Sequence, residues 1–170
     1  MGGRTQERTA AAMDDIHAMP GHLVRRFQQI AVAIFLEETA RAGFDLTPVQ
    51  FGALSMLEAH PGIDQATLAG LIAYDRSTIG GVVDRLVQKG YVVRDVSERD
   101  RRARELRLTP AGRRSLEEVL PAVLRAQECI LSGLSTDERH LFLSLLTKAT
   151  DAVNDRSRAP LRSGAMREAD

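Results

Sequence analysis

Aromatic side chains are scarce in this chain, at 4% of residues, and tryptophan is absent. Leu, Ala, Val and Ile must therefore build the core, and Leu and Ala lose little on entering a helix, so a mainly helical protein is expected. One cysteine, Cys129, allows neither an intramolecular disulfide nor a Cys-rich zinc site and gives an oxidising compartment no support. No apolar run reaches the roughly 20 residues of a membrane span. The first fifteen residues lack the apolar stretch of a secretory signal, so a cytoplasmic protein without membrane contact is expected. His17, His22, His60 and His140 cluster with no cysteine or carboxylate at metal spacing, and neither metal nor cofactor is expected. Gly-rich phosphate loops, a G-x-S-x-G elbow and a compact triad are missing too, which argues against an enzyme.

Net charge is also lacking, because 23 Lys and Arg balance 23 Asp and Glu. The distribution is uneven, however. Between Arg76 and Arg114 eleven basic residues face five acids, an excess of six, so the rest of the chain carries six net negative charges. A basic block in an acidic frame is what a local polyanion site requires.

Periodicity divides the 170 residues into one domain with flanking segments. Residues 1–19 read as a loose arm and residues 157–170 as a polar, frayed tail. A first helix covers His22 to Arg41 and stops at Gly43. Thr47-Pro48-Val49-Gln50 is a capping box with Pro at the first helical position, and Pro61-Gly62 closes that second helix. Asp64 caps a third, short helix, with Leu68, Leu71 and Ile72 inward. A fourth follows from Asp75, with Ile79, Val82, Val83, Leu86 and Val87 as one buried stripe and Gly90 ending it. The period then shifts to two: 91–96 and 105–108 read as paired strands around an Arg-rich tip at 97–104. Thr109-Pro110 opens a fifth helix with a seam of Leu116, Val119, Leu120, Val123, Leu124, Ile130 and Leu131, which Pro121 is expected to kink or break. Ser135 and Glu138 form a second capping box before a sixth helix.

Two short helices followed by a hairpin with a basic tip make a winged helix-turn-helix, here over 47–112 within a domain of 20–156. In such a unit the second short helix enters the major groove of duplex DNA. The fourth helix turns Ser77, Gly81, Asp84 and Gln88 away from its buried stripe, with Thr78 and Arg85 beside them. The candidate DNA contacts are Gln65, Thr67, Arg76, Ser77, Thr78, Gly81 and Arg85 from the helices, with Arg99, Arg101, Arg102 and Arg104 from the wing. Ser, Thr and Arg suit phosphate oxygens and base edges, and a wing tip bearing Arg101 and Arg102 has the charge to enter a minor groove. The apolar seams of the first, fifth and sixth helices exceed what a compact winged unit covers. Helices at 20–45 and 110–156 are therefore expected to form a homodimer.

The ordered motifs resemble the MarR family. They are Leu-Thr-Pro-Val-Gln-Phe at 46–51, Asp75-Arg76-Ser77-Thr78, Val83-Asp84-Arg85-Leu86, Lys89-Gly90, Asp100-Arg101-Arg102 and Leu106-Arg107-Leu108-Thr109-Pro110-Ala111-Gly112. The likeness spans roughly residues 20–155 and implies an intertwined homodimer gripping a pseudo-palindromic operator. Gly80-Gly81 departs from the family's usual polar or Arg side chain. It removes direct base readout at Gly81, and the two glycines are either simply tolerated in the helix or let its backbone approach DNA more closely. Pro20 to Arg26, Ile34 to Glu38 and Asp75 to Gly81 are most similar to repressors of aromatic-acid or nicotinate catabolism. That resemblance implies release from DNA by a small aromatic carboxylate, with Phe51 and Tyr74 as candidate walls and His22 and Arg26 as candidate carboxylate partners. Two other readings stand beside this one. A redox-responsive regulator would act through Cys129, though a Cys among apolar neighbours on the fifth helix is more simply a small buried hydrophobe. A winged helix serving only to bind protein would more often show exposed apolar groups than an Arg-rich wing.

Overall fold

The computed structural model describes residues 16–96 and 104–162. Its chain order is α1 (Pro20–Arg41), α2 (Pro48–Ala59), α3 (Gln65–Leu71), α4 (Ile79–Gln88), β1 (Val92–Val96), β2 (Arg104–Leu108), α5 (Pro110–Ile130) and α6 (Thr136–Asp151), with 3-10 turns at Ile16–Ala18 and Asn154–Arg156. The expected fold class holds: a mainly helical chain with a small antiparallel hairpin.

Caps set several of these boundaries. Thr47 accepts from the Gln50 backbone while the Gln50 side chain accepts from the Thr47 N–H, so both halves of the capping box are made. Ser135 and Glu138 repeat the device on α6, and Asp64 accepts from the Thr67 N–H at 2.7 Å to start α3. Gly90 follows α4 with φ +72°, the left-handed conformation that lets the Tyr91 N–H reach back to the Leu86 carbonyl at 3.0 Å.

The core lies between α2, α3, α4 and the hairpin, roofed by α1 and α5. Leu46, Leu54, Leu57, Leu68, Ile79, Val83, Leu86, Val92 and Leu106 are fully buried there, joined by Phe35 from α1 and Val119 from α5. The hairpin register pairs Val92 with Leu108, Arg94 with Leu106 and Val96 with Arg104. A feature the sequence did not reveal completes it: the Gly62 N–H donates to the Leu106 carbonyl, and the Leu106 N–H donates to the Ile63 carbonyl. The loop before α3 thus lies as a one-residue third strand beside β2.

Gly112 ties the hairpin to α5. A Cβ at this position would sit 2.1 Å from the Tyr91 carbonyl oxygen, so only glycine fits. Thr109 holds the same junction from three sides. Its N–H donates to the Tyr91 carbonyl, its hydroxyl donates to the Gly90 carbonyl at 2.6 Å, and its Oγ1 accepts from the Gly112 N–H.

Four expectations need correction. Helix α4 begins at Ile79, because Asp75 to Thr78 form a separate turn. Val87 is exposed, since it lies one residue beyond the stripe that Leu86 ends. Pro121 does not break α5, which runs through it from Pro110 to Ile130. The α5 seam also splits into two faces: Val119 and Val123 are buried, whereas Leu120 and Leu124 face outward.

Outside the winged unit burial is sparse. Helix α6 contains no buried residue, and its ring contact with the rest of the chain is Phe142 edge-on to Phe27 of α1 at 5.3 Å. Leu23, Val24, Ile30 and Leu36 of α1 and Leu141, Leu143 and Leu145 of α6 are all exposed in the single chain. No helix among the described residues is long and apolar enough to cross a membrane.

Candidate nucleic-acid interface

The turn before α4 is organised by one carboxylate. Asp75 Oδ1 accepts from the Ser77 N–H at 2.7 Å and from the Ser77 hydroxyl at 2.6 Å, and the Asp75 carbonyl accepts from the N–H groups of Thr78 and Ile79. Hydrogen bonds from Ser77 hold the Asp75 carboxyl below the usual carboxylate range. Ser77 and Thr78 are exposed, as expected of DNA contacts, but their hydroxyls donate inward, Ser77 to the Asp75 side chain and Thr78 to the Asp75 carbonyl at 3.1 Å. In the free chain these hydroxyls are engaged within the turn, and a bond donated to phosphate would require them to rotate away from Asp75.

Ion pairing sorts the basic block. Lys89 pairs with Asp45, Arg94 with Asp84, Arg107 with Glu105 and Arg113 with Glu58. Arg76, Arg85 and Arg104 are exposed and make no ion pair with any described residue. These three flank α4 from its preceding turn, its outer face and the base of the wing. The Arg94–Asp84 pair, at 2.6 Å, joins β1 to α4 and neutralises the one carboxylate on the exposed side of that helix.

Gln65, Gly80, Asp84, Arg94, Arg104 and Leu106 line an open groove of about 500 Å³ between α3, α4 and the wing. Gln65 closes its floor: a Cβ on Gly80 would meet the Gln65 amide nitrogen at 3.4 Å, ordinary contact. A Cβ on Gly81 would meet nothing within 4 Å. Protein packing therefore requires neither glycine, and Gly81 leaves bare helix backbone on the exposed face. Thr67 contributes its backbone N–H to the Asp64 cap and is half-buried, a smaller surface than its place in the sequence implied. Arg99, Arg101 and Arg102 lie outside the described residues.

The four residues expected to hold an effector do not meet within one chain. Phe51 packs at 6.0 Å from Phe35, near the C-terminal half of α1, and Tyr74 packs on the same core. His22 and Arg26 are in the first two turns of α1. The thirteen residues from His22 to Phe35 span about 20 Å at the helical rise. A single-chain slot formed by all four is therefore excluded. His22 stands edge-on to His17 at 5.1 Å, with Nε2 buried and no hydrogen-bond partner among the described residues. Desolvation first, then the charge of Arg25, holds the imidazole below its ordinary value of 6.5. At neutral pH it offers a neutral N–H in place of a positive charge. Cys129, read as a buried hydrophobe, is exposed near the C-terminal end of α5. Among the described residues no group of His, Cys, Asp and Glu is placed to hold a metal ion.

Residues 44–103 match the sequence pattern of the MarR family. The HTH-type transcriptional repressor NicR of Pseudomonas putida is 33% identical over 138 residues, covering 81% of this chain and 86% of NicR. Among solved structures, Bordetella bronchiseptica BpsR, whose DNA binding is regulated by 6-hydroxynicotinic acid, is 31% identical with a TM-score of 0.75 over 80% of this chain and 96% of its own. The transcriptional repressor CouR, solved on a 23-mer DNA duplex, is 31% identical with a TM-score of 0.74 over 81% and 96%. An exposed reading helix beside unpaired arginines, a hairpin wing and relatives of this identity and coverage agree: the chain belongs to the MarR family and is a winged helix-turn-helix transcription regulator.

Proposed function

We propose that this regulator is a homodimeric repressor that reads a pseudo-palindromic operator and is released from it by a small aromatic carboxylate. The observation that carries the DNA half is the sorting of charge: Arg76, Arg85 and Arg104, exposed and without an ion pair to any described residue, ring the outer face of α4. In this reading 47–112 is the DNA-reading unit, Arg85 approaches base edges, Gly81 lets backbone approach phosphate, and Arg99, Arg101 and Arg102 extend the wing into the minor groove. The uncovered apolar faces of α1, α5 and α6 support dimerisation through 20–45 and 110–156, because stripes of Leu and Ile are stable only against another surface. Two recognition helices related by a two-fold axis address half-sites about one turn of DNA apart.

The effector half is supported by the likeness to BpsR and by the half-buried, unpartnered His22 beside Arg25 and Arg26. A neutral imidazole N–H and an arginine suit a carboxylate. Phe51 and Tyr74 are too far along the chain to share that end in one protomer. The aromatic walls are then apolar groups nearer the N-terminus of α1 or from the second copy. Binding would favour a spacing of the recognition helices that no longer fits successive major grooves.

Selection of duplexes from a random-sequence library, followed by fluorescence anisotropy, tests the DNA reading. Affinity for the selected duplex should fall steeply between 50 and 200 mM salt, by about 10³-fold if some six phosphates are contacted. Arg85→Ala should lower it by about tenfold, losing more on the selected duplex than on random sequence. Failure to enrich any sequence would overturn the reading. A thermal-shift panel of benzoates, hydroxybenzoates, cinnamates and nicotinates tests the effector. Stabilisation together with release of DNA supports it, and no response across the panel rejects it while leaving DNA binding intact.

A further inference from the structure

Through residue 162 the chain after α6 is held in place. Asn154 closes a loop with Leu161 through two hydrogen bonds, the Leu161 N–H donating to Asn154 Oδ1 at 2.8 Å and the Asn154 amide donating to the Leu161 carbonyl at 3.1 Å. The expectation of a loose tail from residue 157 is therefore corrected for 157–162. Loop and helix together place Arg162 on α3, where its N–H donates to the Gly70 carbonyl at 3.0 Å. Gly70 is shaped for this contact. The nearest atoms that a Cβ there would meet are all from Arg162, its Cδ, Cβ and Cγ at 3.2, 3.3 and 3.5 Å.

The segment is fastened at the corner of the helix-turn-helix. The Gly70 carbonyl also accepts from the Ala73 N–H, and Ala73 adopts φ +50°, a left-handed conformation that an alanine holds only where its surroundings impose it. Ala73 shares a cleft of about 440 Å³ with Val153, Ala159 and Leu161. Two residues on is Asp75, which organises the start of α4. Held low first by the Ser77 hydrogen bonds, it also feels the positive charge of Arg158. Residues 154–162 thus run from the end of α6 to the turn that aims the reading helix.

We propose that residues 154–162 form a strap that positions the α3–α4 turn against α6, so that the reading helix is held in its DNA-competent pose before DNA arrives. This rests on the reading of α4 as the DNA-contacting helix. The strap acts through the turn and touches no DNA itself. Its effect is on pre-organisation: a turn that must be ordered on binding weakens the specific complex, which needs the pose, more than the nonspecific one, which rests on charge.

The test compares the full chain with forms ending at Arg156 and at Arg162, together with Gly70→Ala. Alanine is the better helix former, so Gly70→Ala should stabilise α3 if only helix propensity counts, and should press on Arg162, whose Cδ and Cβ lie 3.2 and 3.3 Å from the new Cβ, if the strap counts. Anisotropy is read on a duplex selected by the full chain and on random-sequence duplex, and amide exchange is read at Ala73 and Tyr74. The form ending at Arg156 and Gly70→Ala should each lose about tenfold on the selected duplex, with little change on random sequence. Both should also exchange faster at the turn. The form ending at Arg162 should match the full chain in both readouts. Unchanged exchange and affinity in the form ending at Arg156, or an equal loss in the form ending at Arg162, would overturn the strap. Failure of the full chain to select any duplex would remove the DNA reading, and exchange at the turn would still decide whether the strap braces it.

Discussion

The winged unit and the outer helices are built from the same aliphatic residues, yet they treat them differently. Leu54, Leu68 and Leu86 are 0% exposed within one chain, whereas Leu124, Leu141 and Leu145 are 57%, 59% and 55% exposed. Both sets fall at helical spacing, so periodicity alone does not separate them. The distinction is topological. Helices α2 to α4 close on one another and on the hairpin within 61 residues, while α1 and α5 pack along one another, α6 buries no residue, and all three leave apolar stripes open. One region closes its core with the help of Phe35 from α1 and Val119 and Val123 from α5, and the other leaves apolar stripes uncovered in the single chain.

That contrast breaks most visibly in the core. Leu54→Ala should destabilise the folded chain by about 2–5 kcal/mol through lost transfer energy and the cavity left behind, read as a lowered urea midpoint with unchanged slope. An equal loss from truncating exposed Leu124 to Ala in a monomeric sample would contradict the division. Gly112→Ala should come next, at about 1–3 kcal/mol, because its methyl group must push the Tyr91 carbonyl away from α5. Leu124→Glu should leave the winged unit folded by circular dichroism while raising the dimer dissociation constant about 100-fold in sedimentation, as a charge is placed on a face that association would bury.

The smallest effect concerns the α3–α4 turn inside the winged unit. The carboxyl of Asp75 is held below its ordinary value of 3.8, so its contribution is present at higher pH and is lost as pH falls through the depressed folded value. Asp75→Ala should therefore melt lower than the parent at pH 7, and the difference should shrink as pH is taken below 3.8. A constant gap across that range would mean that the carboxylate does not act through its charge.

What was legible in the sequence follows from which interactions are local. Capping boxes at Thr47 and Ser135 involve residues three apart and could be read directly. The stripe Ile79, Val82, Val83, Leu86 was equally plain, as was the alternation of the hairpin. The third strand at Ile63, the strap to Gly70 and the closed junction at Gly112 are made by backbone groups far apart in sequence, and backbone atoms carry no sequence signal. Helical Gly70 and Gly112 were the available hints, each marking a close approach without naming what approaches. For the candidate site, side-chain type located Arg76, Arg85 and Arg104 correctly on the exposed side. Type could not tell that Ser77 and Thr78 direct their hydroxyls inward, nor that the α1 helix separates His22 from Phe51.

The short strand-like contact at Ile63 has a consequence for solubility. A two-stranded hairpin normally offers two open edges, each a template onto which another chain can add a strand. Here the outward N–H and carbonyl of Leu106 are already bonded to Ile63 and Gly62, so foreign strands find β2 occupied at its centre. The remaining edge is β1, where Arg94 and Asp95 sit between the exposed Val93 and Val96. Charges at those positions discourage edge-to-edge pairing. Both edges of the hairpin are thereby kept from becoming the seed of an aggregate.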